Sequence, residues 1–177
     1  MNSEQIESRF GSYRVKVLLQ DANSRLASLC SEHDGKDICR TLAVTRFVNP
    51  VPGSLVDANK LIREGHSIGS TLKQAGMLIS RDVIAEGTTP CGEGFFGLAG
   101  GQIDIDELLY LRVYGLLAGP HETAMVPYAI IAEAHHPEHI PPLTGMTPVS
   151  EMTTDALDED AALAMSVLLS ALKYANA

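Results

Sequence analysis

One carboxylate in this sequence falls where an apolar side chain is expected. Alternation along the stretch MVPYAIIAE places Ala129, Ile131 and Glu133 on the same, mostly apolar face of a predicted strand. A carboxylate on such a face is costly unless it is paired, hydrogen-bonded or neutral. Because perturbed carboxylates often mark functional sites, Glu133 is the first candidate for a catalytic residue. The alternative is that the strand has already ended and that Glu133 lies at its rim.

Arginines on other predicted strands offer the positive charge that a small anionic ligand requires. Arg112 lies in the middle of the run LLYLRVYGLL, and Arg40 lies in the run ICRTLAVTRFV. A guanidinium can hold a ligand carboxylate bidentately, or it can pair with a carboxylate side chain across the sheet. Both interpretations remain open for each of these arginines.

Three histidines, His135, His136 and His139, follow the candidate carboxylate in the run HHPEH. Their spacing matches no standard metal motif, and adjacent side chains on an extended chain point in opposite directions. The sequence also contains no glycine-rich nucleotide signature and no nucleophile elbow. We therefore expect a site that uses neither a metal nor a cofactor.

Composition restricts the class of partner. The 177 residues include 13 Lys and Arg against 22 Asp and Glu, for a net charge of −9. Since nucleic-acid affinity depends on clustered basic residues, no nucleic-acid partner is expected, whereas a small anion needs only two or three arginines. A polar N-terminal segment, three unpatterned cysteines and no apolar run of ~18 residues predict a cytoplasmic protein without a membrane partner. The oligomeric state is not predicted.

The elements that position these side chains are predicted from apolar periodicity and turn residues. The predicted strands are Tyr13–Leu19, Leu26–Ser31, Ile38–Val48, Met77–Ile84, Leu108–Leu117 and Ala124–Ala134. The predicted helices are Ser54–Glu64, Ile68–Lys73 and a C-terminal helix over Asp155–Tyr174. Together they indicate one α+β domain over residues 1–177, with a central antiparallel sheet and helices packed mainly on one face.

The glycine-rich segment Thr88–Gly101 is predicted to be a flexible loop. It contains two adjacent aromatic residues, Phe95 and Phe96, which could cover an apolar cavity when the loop closes. This segment is therefore the candidate lid of the site.

The order of the features resembles the chorismate pyruvate-lyase-like family. The resemblance is carried by a first strand ending in VLL, the pair Arg40-Thr41, the sequence GHSIG at 65–69, the triplet SRD at 80–82 and the final strand IIAEAHHP. It extends from about Tyr13 to Pro137. The resemblance implies an enclosed cavity in which a cofactor-free lyase removes pyruvate from chorismate, or from a related enol-ether carboxylate, to leave a hydroxybenzoate.

The resemblance also assigns residues to roles. The family's catalytic glutamate corresponds to Glu133, and a loop residue whose backbone contacts the ligand carboxylate corresponds to Ile68, beside Gly69. With a raised pKa, that glutamate would protonate or hydrogen-bond the departing ether oxygen.

The family's carboxylate-binding arginine falls on the first strand, where strict register gives Val15 and a shift of one residue gives Arg14. A shift of one residue turns a side chain to the opposite face of a sheet, so Arg112 or Arg40 are the alternatives.

A second function remains open on the same fold, which also resembles the effector-binding domain of some bacterial transcription regulators. The chain would then be a non-enzymatic domain that binds a small carboxylate. The two hypotheses share one structural test, which is whether Glu133 is buried beside an arginine in a cavity or exposed at a sheet edge.

Overall fold

A six-stranded antiparallel sheet forms the centre of the computed structural model, which describes residues 1–153 and 157–174. The strands are β1 (Arg14–Gln20), β2 (Ser24–His33), β3 (Lys36–Phe47), β4 (Leu78–Pro90), β5 (Leu108–Gly119) and β6 (Val126–His135). Their order across the sheet is β1-β2-β3-β6-β5-β4. The α+β class with a central antiparallel sheet is thereby confirmed.

The sheet joins an N-terminal meander to a C-terminal hairpin through the pairing of β3 with β6. In this register Glu133 lies opposite Ala43 on one side and opposite Arg112 on the other. Pro127 lies at a bulge in the pairing with β5 and beyond the last residue of β6 that pairs with β3, so its missing N–H interrupts neither ladder there. The pairing of β3 with β6, two strands far apart in the sequence, brings Glu133 to the middle of the sheet.

The described part of the chain contains five α-helices and three short 3-10 turns. The helices are α1 (Asn2–Phe10), α2 (Val56–Arg63), α3 (Ile68–Gln74), α4 (Gly92–Leu98) and α5 (Glu159–Lys173), and the turns are Gly53–Leu55, Glu122–Ala124 and Val149–Glu151. The side chain of Asp158 accepts a hydrogen bond from the Ala161 N–H and so caps α5. The predicted start of this helix at Asp155 lies outside the described residues. No described helix combines the length and the apolar character needed to cross a membrane.

Helices pack on both faces of the sheet, whereas the sequence predicts them mainly on one. On one face, α4 and α5 contribute Phe95 and Leu168 to a core that includes Leu42 of β3. On the other face, α2 and α3 contribute Ile62 and Leu72 to a second core. The reason lies in the central strands: eight consecutive residues of β3 are buried, so both of its faces require a cover.

The prediction of a loop over Thr88–Gly101 is wrong. β4 continues to Pro90 and α4 follows, with Phe95 fully buried and Phe96 39% exposed. A Cβ atom at Gly94 would collide with the backbone oxygen of Ala171 in α5. Gly94 therefore permits close packing of α4 against α5.

Candidate functional site

A partly enclosed cavity lies between the sheet and the beginnings of α1 and α3. The volume of this cavity is about 60 Å³. The strands contribute its floor: Val15, Arg25, Ala27, Leu29, Ala43, Thr45, Ile79, Arg81, Tyr114, Leu116, Ile131 and Glu133. The roof consists of Met1, Asn2, Ser3, Tyr13, Ser67, Ile68 and Gly69. An apolar lining with a few convergent polar groups is typical of a small-molecule site.

Glu133 lies in this cavity, 4% exposed, and hydrogen-bond donors surround its carboxylate. Asn2 Nδ2 and the Tyr114 hydroxyl donate to Oε1 at 2.9 and 3.0 Å. The Arg112 guanidinium donates to Oε2 through Nε at 3.0 Å and through a terminal nitrogen at 2.8 Å. Alternation of the strand therefore predicts the inward direction of Glu133 correctly.

The ionisation of Glu133 follows from these neighbours. Burial by itself raises the pKa of the carboxyl, but His135 and Arg112 favour the charged form more strongly, and the pKa of Glu133 lies well below its usual value. Glu133 is thus an anion that accepts hydrogen bonds. In the unliganded protein the neighbours of Glu133 thus lower its pKa, whereas a raised pKa was expected.

The three arginines expected beside Glu133 lie in different places. Arg112 pairs with it directly. Arg40 is buried elsewhere, where it donates to Ser31 Oγ at 2.9 Å and to Glu138 at 2.7 Å and lies over the Phe10 ring. The Arg14 side chain is 64% exposed and pairs with Asp37 on the side of β1 opposite to Val15, which lines the cavity. Neither Arg40 nor Arg14 contributes to the cavity.

Arg25 is the cavity arginine that the sequence does not single out. It is 4% exposed, and one terminal nitrogen donates to the backbone oxygens of Ile62 and His66 at 3.1 and 2.9 Å. Its Nε has no hydrogen-bond partner, and no carboxylate within the described residues pairs with it. Burial lowers the pKa of Arg25. The missed signal is alternation: a strand starting at Ser24, two residues before the predicted Leu26, places Arg25 on the inward face with Ala27.

Two further groups bring polarity to the cavity. Arg81 of β4 is an exposed residue whose guanidinium lies 5.6 Å from the centre of the Tyr114 ring. The Tyr13 hydroxyl donates to Ser67 Oγ at 3.2 Å, and burial raises the pKa of Tyr13. The cavity thus has a buried guanidinium, a second guanidinium on the outermost strand and hydroxyl groups along its wall.

Ile68 and Gly69, at the beginning of α3, line the cavity. A Cβ atom at Gly69 would lie 2.5 Å from the Met1 sulfur, so the absence of a side chain here leaves room for the Met1 side chain. Asn2 and Ser3 of α1 also line the cavity, although nothing in the polar N-terminal sequence predicts it.

The three histidines of the HHPEH run, His135, His136 and His139, are buried. Within the described residues, no group of His, Cys, Asp and Glu side chains is arranged to hold a metal ion. Burial lowers the pKa of His136 and of His139 to about 4 in each case. His135 lies behind Glu133, with its Nε2 3.4 Å from Oε2 of the carboxylate. The cluster therefore consists of neutral imidazoles packed behind the cavity.

Comparisons with known proteins add little to this geometry. No family model and no curated protein matches the chain. Among solved structures, the crystal structure of a candidate regulator from Escherichia coli CFT073 aligns with 70% of this chain and 90% of its own, at 10% identity and a TM-score of 0.36. A TM-score this low carries no functional argument, so the interpretation depends on the residues of the cavity.

Proposed function

We propose that the cavity binds a small organic carboxylate, and that the protein is a lyase that removes pyruvate from chorismate or a related enol-ether carboxylate. The observation that carries the proposal is the burial of Arg25 without a counter-ion. Two backbone oxygens compensate its desolvation only in part, because they are neutral and leave Nε without a partner. A ligand carboxylate beside Arg25 would balance the charge and would supply the acceptor that Nε lacks.

The distribution of charge favours a ligand with more than one acidic group. Arg25 lies at the buried end of the cavity, and Arg81 lies on the exposed outermost strand. Between them the floor consists largely of Ala, Leu and Ile side chains, which suit the apolar ring of a cyclic acid. Chorismate carries one carboxylate on its six-membered ring and a second on its enol-ether side chain, which is why it is the first ligand to test.

The chemistry of the lyase reaction agrees with an ionised Glu133. Elimination removes one ring proton, breaks the ring carbon–oxygen bond and releases the enolate of pyruvate, which then takes up one proton at carbon to give pyruvate. Aromatisation of the ring supplies much of the driving force. An ionised Glu133 can accept a hydrogen bond or a proton from the ring side, while Arg25 or Arg81 stabilises the negative charge of the leaving enolate.

A second candidate function is non-enzymatic binding of a carboxylate by the same cavity. The observation that favours it is the saturation of Glu133, whose oxygens already accept from Arg112, Tyr114 and Asn2. A base engaged in this way must lose one of its donors before it can act on a substrate. Binding without turnover requires no such change.

The deciding experiment is incubation with chorismate, followed by chromatographic measurement of pyruvate and 4-hydroxybenzoate, together with calorimetric measurement of 4-hydroxybenzoate binding. We expect Glu133→Gln to retain binding while turnover falls by about 10²–10⁴-fold. We expect Arg25→Lys to weaken binding by at least about tenfold, because a lysine loses the fork geometry that a carboxylate requires. Arg14→Lys is the matched control, since Arg14 lies outside the cavity.

The outcomes separate the two candidates. Binding of 4-hydroxybenzoate without release of pyruvate by the unmodified protein would select the non-enzymatic function. Equal effects of Arg25→Lys and Arg14→Lys on binding would remove the cavity from both proposals. Circular dichroism melting of each variant checks that a lost effect does not come from unfolding.

A further inference from the structure

His135 forms a buried contact with Glu133 on the side of the carboxylate away from Asn2. Its side chain is 0% exposed, and its Nε2 lies 3.4 Å from Glu133 Oε2. Its other ring nitrogen, Nδ1, lies 2.9 Å from Thr41 Oγ1. The ring stacks on Tyr110, with 5.5 Å between centroids. Packing on all sides therefore holds the imidazole in one orientation.

The charge of Glu133 determines the tautomer of this histidine. An ionised carboxylate can only accept hydrogen bonds, so a lone pair on Nε2 would face it unfavourably. We therefore assign the proton of the neutral imidazole to Nε2, with Nδ1 as the acceptor from the Thr41 hydroxyl. Nδ1 is then the ring nitrogen that can take up a proton.

The Thr41 hydroxyl can pair with Nδ1 whether or not that nitrogen carries a proton. A hydroxyl is both a donor and an acceptor, and its hydrogen rotates to suit its partner. When Nδ1 takes up a proton, Thr41 can turn from donor to acceptor without movement of any heavy atom. Protonation of His135 thus keeps Nδ1 paired, with the Thr41 oxygen as its acceptor.

We propose that His135 is a positioning residue for Glu133 and that it takes up one proton at Nδ1 when an anionic ligand enters the cavity. This inference rests on the proposed function, because it requires an anion in the cavity. In the unliganded protein the Arg112 guanidinium balances the carboxylate, and the positive charges of Arg25 and Arg81 in the same cavity oppose an imidazolium. A ligand anion neutralises that positive charge, so protonation of the imidazole behind the carboxylate becomes more favourable.

The groups facing His135 from each packed element favour this assignment. They are Thr41 of β3, Tyr110 and Arg112 of β5, Glu133 of β6 and His139 of the following turn. Among them only Glu133 is anionic. Burial lowers the pKa of His135, which keeps the imidazole neutral until a ligand arrives. His139 lies with its ring edge to His135, with 5.8 Å between centroids, and forms no hydrogen bond or ion pair with Glu133 in the described structure.

The test is calorimetric titration of the full chain with 4-hydroxybenzoate between about pH 5.5 and 8, in buffers with different ionisation enthalpies. We expect uptake of close to one proton per bound ligand. Over the range in which His135 is neutral when free and protonated when bound, affinity should rise by about tenfold for each unit decrease in pH. His135→Gln should bind with no proton uptake and no such slope. Thr41→Val, which cannot accept from Nδ1, should reduce the uptake.

His139→Gln is the matched control, because it removes a neighbouring buried histidine and should retain the slope. Binding without proton uptake, or the same uptake in His135→Gln, would overturn this inference and leave the proposed function intact. Absence of binding at every pH would overturn both.

A readout that requires no ligand tests the contact itself. Long-range nitrogen–proton NMR spectra of the unliganded protein should show His135 as the neutral tautomer with its proton on Nε2. A proton on Nδ1, or an imidazolium at neutral pH, would contradict the assignment whether or not any carboxylate binds.

Discussion

The two faces of the sheet come from the same strands but carry different chemistry. Neighbours along β6 illustrate this: Ala132 packs into the apolar core under α4 and α5, whereas Glu133 points into the cavity under α1 and α3. On β5 the same holds for Val113 and Tyr114. The α4–α5 face consists of close-packed hydrocarbon, and the cavity face holds charged groups that depend on one another.

The two faces of the sheet therefore contribute differently to stability and to ligand binding. Burial of apolar surface on the α4–α5 face stabilises the fold. On the cavity face, Glu133 and Arg112 compensate each other, while Arg25 has only backbone oxygens as partners. One face therefore provides stability, and the other retains an uncompensated charge that a ligand can neutralise.

The largest effect on stability is expected on the apolar face. Phe95→Ala removes a fully buried ring between α4 and the sheet, which should lower the free energy of unfolding by about 4 kcal/mol. Affinity for 4-hydroxybenzoate in the folded fraction should stay unchanged. Urea unfolding and calorimetry measure the two quantities, and a large loss of affinity at native stability would contradict the division between the faces.

A smaller loss is expected from breaking the ion pair on the cavity face. Arg112→Met leaves the buried Glu133 carboxylate without its guanidinium and should cost about 3 kcal/mol in urea unfolding. Arg112→Met combined with Glu133→Gln removes the unpaired charge and should recover much of that loss. If the double variant is no more stable than Arg112→Met alone, the two residues are not energetically coupled.

The smallest effect concerns pH. His136 and His139 have pKa values of about 4 in the folded chain, below the ordinary 6.5, so the unfolded chain binds more protons between these values. The stability that the two neutral histidines contribute is therefore fully present above about pH 6.5, and it is lost as the pH decreases toward 4. With solvent screening, each histidine should account for on the order of 1–2 kcal/mol near pH 5. Urea unfolding of His136→Gln at pH 7 and pH 5 should show a correspondingly weaker pH dependence, and an unchanged dependence would contradict it.

Local pattern was sufficient for much of the architecture. All six strands and the helices α2, α3 and α5 could be predicted, because a period of two or of 3.6 reflects which side of an element faces the core. The inward direction of Glu133 was also predictable, because alternation places it with Ala129 and Ile131. The segment of α4 was not, because glycines that allow close helix packing look in sequence like those of a loop.

The composition of the site was decided only by the tertiary structure. Sequence alone offered Arg14, Arg40 and Arg112 as partners of Glu133, and the strand order β3-β6-β5 brought only Arg112 to it. Asn2 reaches the same carboxylate from 131 residues away. Periodicity determines the face on which a side chain lies, because it reflects neighbours within one element. Which residues meet across that face depends on strand order and helix placement, and these are set by packing between segments far apart in the chain.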